Sequence, residues 1–456
     1  MPFAGTIRVP SDKSISHRAV LFAGLAQGVS HLEAVLPSAD VQATIRAIRA
    51  LGARVDLVAG PHGLVGEVEG IGLAASKSTR PLVIDCGNSG TTARLLMGAL
   101  AGLDVEATLV GDASLSVRPM RRVTDQLSKL GARFESDGGH LPVRIVRAGA
   151  LHGAHLVTEQ ASAQVKSAIL LAGMRASGTT SVTEPAKSRD HTELLLPAFG
   201  VDVDVDGLTA SIEGPVLMHA HDMTVSADPS SAAFVAVAAT ICAGSDVLLE
   251  RVALNPTRTG AFEVLRRMGA CLDVVNEHAE GAEPVGDVRV VHAPELVATS
   301  VSPAEIPTLI DEIPILAVAA AFARGETVFE SCGELRVKES DRMAAIIEGL
   351  GAFGIRAYAE DDDLHVIGMA GSPAHVPERV VLGTHGDHRL AMTWYLAGEL
   401  FDVDVELDDS ACVRVSWPDF FADIESLKRL GATLASRQTS YGGFRDNCHR
   451  RTRGFR

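Results

Sequence analysis

Positive charge is scarce in this chain: 41 Lys and Arg stand against 57 Asp and Glu, a formal net charge of −16 over 456 residues. A general nucleic-acid or anionic-membrane binder carries a broad basic face, so neither nucleic acid nor membrane is an expected partner, and any anion must be met by a local cluster. The six cysteines (Cys86, Cys242, Cys271, Cys332, Cys412, Cys448) form no CxxC pair and no Cys/His spacing that would hold zinc. They read as reduced and mostly buried. The longest apolar run, near Ala232 to Ala243, falls short of a membrane span, and Met1 to Arg8 lacks the charged-then-apolar pattern of a secretory signal. These absences predict a soluble, cytoplasmic protein whose 46% apolar composition suffices for two or more buried domains.

What the chain does contain is a repeat. The combination Leu/Phe/Met-Gly, followed by a strand-like segment, recurs at Gly52, Gly131, Gly200, Gly269, Gly351 and Gly431, at intervals of 69 to 82 residues. Glycine just past a helix end is the expected left-handed cap, and six units of this size predict six copies of one helix-strand module. Each unit also holds a second segment dense in small apolar residues: Ala19–Ala23, Leu95–Ala101, Ala168–Ala172, Ala233–Ala239, Ile315–Ala321 and Leu390–Ala397. These are apolar nearly all round, which predicts buried helices with the sheets outside them. The expected fold is a two-domain inverted α/β barrel with three modules per domain. Repeats one to three (13–226) form one domain, repeats four to six plus the first strand (1–12 and 227–436) the other, and 437–456 a flexible basic tail.

Polar residues gather just before these six helices: Ser11 to Arg18, Gly87 to Arg94, Ser162 to Ser167, Asp228 to Ser231, Asp311-Glu312 and Gly386 to Arg389. If the modules share an orientation, six helix N-termini and their partial positive charges converge on anionic ligands. Asp228-Pro229-Ser230-Ser231, taken singly, reads as an ordinary N-cap. Gly87-Asn88-Ser89-Gly90-Thr91-Thr92-Ala93-Arg94 follows an apolar strand and opens a helix, a turn in which two glycines let the backbone come close to a ligand.

Several longer segments make the chain resemble the EPSP synthase (3-phosphoshikimate 1-carboxyvinyltransferase) family of enolpyruvyl transferases, from about Thr6 to Leu434. They are Pro10 to Arg18, Gly87 to Arg94, Gly111 to Met120, Ala161 to Ser167, Ser188 to Glu193, Leu309 to Pro314, Glu334 to Arg342 and Gly386 to Arg389. The resemblance implies transfer of the enolpyruvyl group of phosphoenolpyruvate to the 5-hydroxyl of shikimate 3-phosphate, by addition and elimination of phosphate, in a monomer without metal or organic cofactor. Both substrates carry a phosphate and a carboxylate, which suit bidentate arginine and point-charge lysine.

Carried over residue by residue, the resemblance puts Lys13 on both substrates and Ser14, Arg18, Ser162, Gln164 and Lys338 on shikimate 3-phosphate, with Arg189 assisting. It puts Gly90, Arg118, Arg342 and Arg389 on phosphoenolpyruvate, with Gln164 also facing it. Asp311 would take the 5-hydroxyl proton and Glu339 would protonate the methylene carbon, a division that attack of an alcohol on an enol phosphate requires. Lys166, Arg94, Arg121 and Arg122 are left outside this set, and His388 reads as structural. Where some members carry lysine before an aromatic-proline pair, this chain has Val415, and the Ser188 to Glu193 segment looks like the branch tolerant of glyphosate. Two rivals remain: a UDP-N-acetylglucosamine enolpyruvyl transferase, although Gly111 to Arg122 lacks the expected loop cysteine, and an RNA 3′-phosphate cyclase-like protein.

Overall fold

The computed structural model of the chain describes residues 1–72, 82–369 and 377–440, with side chains through 434. It is a mixed α/β structure that divides into two compact units, Met1–Val9 with Ala227–His278 and Val285–Arg456, and Pro10–Ser226 with Ala279–Pro284.

Within each unit the small apolar segments are helices, as expected. In the second unit they are Lys13–Leu25, Gly90–Gly102 and Ala163–Gly173. In the first they are Pro229–Ile241, Ile313–Phe322 and His388–Phe401. Pro229–Ile241 is buried from Pro229 through Thr240, so no face of it can be polar. Small residues let these helices touch backbone to backbone. A methyl group built on Gly98 would lie 2.1 Å from the carbonyl oxygen of Ala168 in the neighbouring helix, so Gly98→Ala has no room. In the first unit larger side chains fill the core, with Phe353 6.5 Å from Trp394 and Phe322 stacked on Phe401 at 4.5 Å between ring centroids.

Five sheets share one pairing pattern, in which a parallel pair leads into antiparallel strands. In the second unit, Met223–Thr224 runs parallel to Val29–Val35, which is antiparallel to Gly63–Glu69. Leu82–Asp85, Ala107–Val110 and Val143–Val146 repeat the pattern, as do His155–Val157, Gly178–Thr183 and Thr209–Gly214. In the first unit it recurs in Ala4–Ile7, Asp246–Ala253 and Glu283–Val291 and in Ser300–Val301, Glu326–Phe329 and Asp363–Ile367. Among the described residues the sixth sheet has only the parallel pair Arg379–Leu382 and Asp404–Leu407. Residues of Val29–Val35 alternate exposed and buried over most of its length, the signature of a sheet with one face on the core.

The expected glycine caps hold at four positions. Gly52, Gly131, Gly200 and Gly269 have φ of 109°, 103°, 79° and 107°, a region a side chain disfavours. In the fifth repeat the helix Arg342–Ala352 runs past Gly351 and the left-handed residue is Gly354, at 76°. The sixth differs altogether. Instead of a helix end and a strand at Leu430 to Leu434, one helix spans Phe420–Ser440. Past Gly431 the sequence runs Ala-Thr-Leu-Ala-Ser-Arg, with no second glycine or proline to stop the helix. The expected tail from 437 therefore begins as helix through Ser440, and 441–456 lie outside the described residues.

Candidate active site

In the second unit, three buried helices bring their first turns, and the candidate residues on them, into use. Asp12 caps Lys13–Leu25 by accepting from Ile15 N at 2.8 Å, which leaves Lys13 and Ser14 in the first turn, both half-buried. Lys13 Nζ lies 3.2 Å from Asp40 Oδ2. Arg18, one turn further in, is buried and already engaged: Nε donates to Thr192 Oγ1 at 2.7 Å, Nη1 to the Ser14 carbonyl at 3.0 Å and Nη2 to Ser167 Oγ at 2.8 Å. Burial outweighs the nearby Glu193 and Asp12 carboxylates and lowers its pKa to about 10.

The glycine loop has Ser89 as N-cap, accepting from Thr92 N at 3.1 Å, and Gly90 as the first helical residue. A methyl group built on Gly90 would sit 2.9 Å from Arg94 Nη1 and 3.6 Å from Arg118 Nη1, so two guanidinium groups face this one backbone position. Arg94 Nη1 donates to Gln164 Oε1 at 2.6 Å, and Gln164 Nε2 donates to Thr91 Oγ1 at 2.9 Å. Gly90, Arg118 and Gln164 are thus brought together, with Arg94 among them. Burial, then repulsion from Arg118 and Arg122, lowers the Arg94 pKa to about 10. Like charges gathered this closely repel one another, and a negative charge among them would relieve that repulsion. Cys86 beside the loop is fully buried, and burial followed by Asp85 pushes its thiol up to about 12, so it packs as an inert hydrophobe.

Ser162 caps the third helix, and its own backbone N–H donates to Glu184 Oε1 at 2.8 Å. Lys166 is buried between Glu184 and Glu193, 2.7 Å from an oxygen of each. Burial opposes its charge, but Glu193 and Glu184 together hold its pKa above the ordinary range. Arg189 is half-buried in the loop that precedes the His191–Leu195 helix.

In the first unit, Asp311, Lys338, Glu339, Arg342 and Arg389 form one charged cluster. Arg342 has no solvent-exposed side-chain surface, and its three nitrogens reach Asp387 Oδ2 (Nε, 2.7 Å), Asp311 Oδ1 (Nη1, 3.1 Å) and Glu339 Oε2 (Nη2, 2.7 Å). Burial works against this guanidinium, yet Glu339, Asp387 and Asp311 raise its pKa. Lys338 Nζ and Arg389 Nη2 stand 3.8 and 3.9 Å from the two oxygens of Asp311. Asp387 caps the His388–Phe401 helix by accepting from Arg389 N at 3.0 Å. His388 is buried beside it, Nδ1 4.0 Å from Asp387 Oδ1. Val415 is half-buried in the short 3-10 helix Ala411–Val415. Asp228 caps its helix by accepting from Ser230 N at 2.8 Å and also takes Arg258 Nη2 at 2.8 Å, an ordinary cap reinforced by a buried cation.

Two members of these clusters escaped sequence reasoning. Arg94 lies four residues after Gly90, one helical turn on and on the same face, a spacing that could have placed it. Asp387 was visible only as part of a motif, because nothing local reveals that its partner is Arg342, 45 residues earlier. Among the described residues no group of three His, Cys, Asp or Glu side chains could hold a metal ion, and no helix is long and apolar enough to cross a membrane.

Comparison with known proteins gives a consistent answer. The family model described as EPSP synthase (3-phosphoshikimate 1-carboxyvinyltransferase) matches residues 1–424. The chain is 47% identical over 421 residues to the 3-phosphoshikimate 1-carboxyvinyltransferase of Alkalilimnicola ehrlichii, covering 91% of each. It is 46% identical over 420 residues to that of Xylella fastidiosa, covering 92% of this chain and 90% of the relative. The crystal structure of EPSP synthase from Acinetobacter baumannii superposes with a TM-score of 0.83 at 38% identity, covering 94% and 96% of the two chains. The enolpyruvyl transferase NikO from Streptomyces tendae shares the fold, with a TM-score of 0.71 at 19% identity over 94% and 95%. Coverage this complete, on a chain whose motif residues gather arginines around Gly90 and carboxylates around Arg342, leads to one conclusion: the chain belongs to the EPSP synthase (3-phosphoshikimate 1-carboxyvinyltransferase) family.

Proposed function

We propose that Asp311 and Glu339 are the base and acid of the family reaction, in which the enolpyruvyl group of phosphoenolpyruvate passes to the 5-hydroxyl of shikimate 3-phosphate and phosphate leaves. The observation that carries this reading is their shared attachment to Arg342, which holds both carboxylates from one buried guanidinium while leaving them unequally exposed, 15% for Asp311 and 37% for Glu339. Addition needs a proton removed from the hydroxyl and a proton delivered to the methylene carbon; elimination reverses the carbon step as phosphate departs. Two carboxylates in different surroundings are suited to opposite proton-transfer roles.

The substrate contacts follow the same logic. Gly90 and Arg118, with Arg389 and Arg342, serve phosphoenolpyruvate; Ser14, Arg18, Ser162, Gln164, Arg189 and Lys338 serve shikimate 3-phosphate; Lys13 serves both, and Gln164 also faces phosphoenolpyruvate. The buried engagement of Arg18 and Arg342 gives them an additional bracing task, holding the first turn of Lys13–Leu25 and the carboxylate pair. The recurrence of one sheet pattern supports reading the fold as an inverted α/β barrel of six modules, three per domain. The composition supports a cytoplasmic protein that binds neither nucleic acid nor membrane, and the family resemblance supports a monomer.

A phosphate-release assay tests the assignment. Phosphate should appear with phosphoenolpyruvate and shikimate 3-phosphate and not with a UDP sugar or RNA ends. Asp311→Asn and Glu339→Gln should each lower kcat by about 10²–10⁴-fold, the usual contribution of a positioned acid or base. Wild-type turnover in both variants would remove these residues from the chemistry.

A further inference from the structure

One buried carboxylate in the second unit is used by nothing in the mechanism above and yet touches two separate pieces of the shikimate 3-phosphate set. Glu184 follows the strand Gly178–Thr183, and its side chain is 2% exposed. Its Oε1 accepts from the backbone N–H of Ser162 at 2.8 Å, at the cap of the Ala163–Gly173 helix. Its Oε2 accepts from Ser188 Oγ at 2.8 Å, the residue immediately before Arg189, and lies 2.7 Å from Lys166 Nζ. Lys166 is itself 4% exposed and also meets Glu193 at 2.7 Å. The strand end, the helix start and the loop are joined at one group.

We infer that Glu184 is a positioning residue for shikimate 3-phosphate: it clamps the Ser162 cap and the Ser188–Arg189 loop in one geometry. The inference rests on the assignment of Ser162, Gln164 and Arg189 to that substrate. The chemistry requires an anion here. A carboxylate accepts from both N–H and O–H donors and balances Lys166, whereas an amide would turn an NH2 group toward a donor or toward the ammonium. The separation of tasks explains why an acidic group stands close to residues meant for a phosphate. With its charge neutralised by Lys166 and its oxygens occupied, Glu184 orders cationic and hydroxyl groups without presenting free negative charge to the ligand. Ser162 Oγ is the helix cap, accepting from Val165 N at 3.5 Å, so a shift of this segment would move Gln164 with it.

The test is steady-state kinetics on Glu184→Gln and Glu184→Asp beside the wild type, each with a thermal denaturation curve. Glu184→Gln should raise KM for shikimate 3-phosphate about tenfold, the equivalent of one charge-assisted hydrogen bond. KM for phosphoenolpyruvate should rise by a smaller factor, since Gln164 is the one displaced residue that also faces that substrate. Glu184→Asp, which keeps the charge, should recover part of the loss. Ser188→Ala removes a single hydroxyl from the clamp and should raise the same KM severalfold even if the glutamate variants fail to fold. Both KM values unchanged, or both rising by the same factor, whatever the melting temperature does, overturns the positioning role and leaves a structural ion pair. Absence of turnover with shikimate 3-phosphate in the wild type would instead overturn the substrate assignment, so the two failures are distinct.

Discussion

Arg342 and Asp387 meet with no side-chain exposure on either partner, Nε to Oδ2 at 2.7 Å and Nη2 to Oδ1 at 3.3 Å. Burial works against the Asp387 charge, but Arg342, helped by His388, more than compensates and holds its pKa below the ordinary aspartate range. The pair fixes the guanidinium whose other nitrogen, Nη1, holds Asp311, so it is the fixed point of the cluster. Asp387→Asn keeps the shape and removes the charge, leaving Arg342 buried with less compensation. Breaking such a pair costs about 3–5 kcal/mol. The expected outcome is a clear drop in melting temperature. A denaturation curve overlaying the wild type would show that Asp311 and Glu339 neutralise Arg342 without it.

His17 supplies a pH dependence. Its Nδ1 lies 2.7 Å from Thr44 Oγ1, which is 2.7 Å from Thr92 Oγ1, which is 2.8 Å from Ser89 Oγ, the cap of the glycine loop. Burial, reinforced by Lys13 and Arg18 against the pull of Asp40, lowers its pKa from 6.5 to about 3. The unfolded chain therefore binds a proton that the folded chain refuses between these values. The stability is fully present above 6.5 and is lost as pH falls toward 3, by about 1.4 kcal/mol per pH unit. His17→Gln should flatten the decline between pH 6.5 and 5 by that slope. Parallel urea-denaturation profiles for wild type and variant across this range would refute it.

How far the sequence carried these conclusions differs by residue. Gly52, Gly131, Gly200 and Gly269 were legible because a positive φ is a local demand that only glycine meets easily. Gly431 looked the same and is not. It lies inside Phe420–Ser440, and a methyl group built there would come 2.0 Å from the carbonyl oxygen of Pro2. That glycine answers a tertiary approach, which no neighbouring residue announces. The motif residues were likewise legible as a set, while the fact that Arg18 and Arg342 spend their donors on protein groups was not. Pairing across 174 residues, as between Arg18 and Thr192, is decided by topology rather than by spacing.

Gly90→Ala separates space from stability. The new methyl group meets Arg94 Nη1 at 2.9 Å, the far end of a flexible side chain, so the helix can form and Arg94 must move. Overpacking of this kind costs about 1–3 kcal/mol where it acts. The expected result is a rise in KM for phosphoenolpyruvate and a larger rise in the glyphosate inhibition constant, with KM for shikimate 3-phosphate changed least. Equal losses for both substrates would mean that the loop is mainly structural.

Arg94 gives the most direct test of whether the arginines at Gly90 bind an anion. Its lowered pKa reflects burial and then the unrelieved repulsion of Arg118 and Arg122, which a bound anion should relieve. Inorganic phosphate should therefore raise the melting temperature relative to chloride at equal ionic strength. The stabilisation would be about 2.7 kcal/mol when phosphate is at one hundred times its dissociation constant. Arg94→Met removes one of the three charges together with the hydrogen bond to Gln164 Oε1 at 2.6 Å. In this variant the phosphate-dependent increment should shrink, while stability in chloride should change little, because lost repulsion offsets the lost bond. KM for phosphoenolpyruvate should rise alongside. If phosphate stabilises wild type and Arg94→Met equally, the anion is held elsewhere and the convergence of arginines on Gly90 is not a binding site.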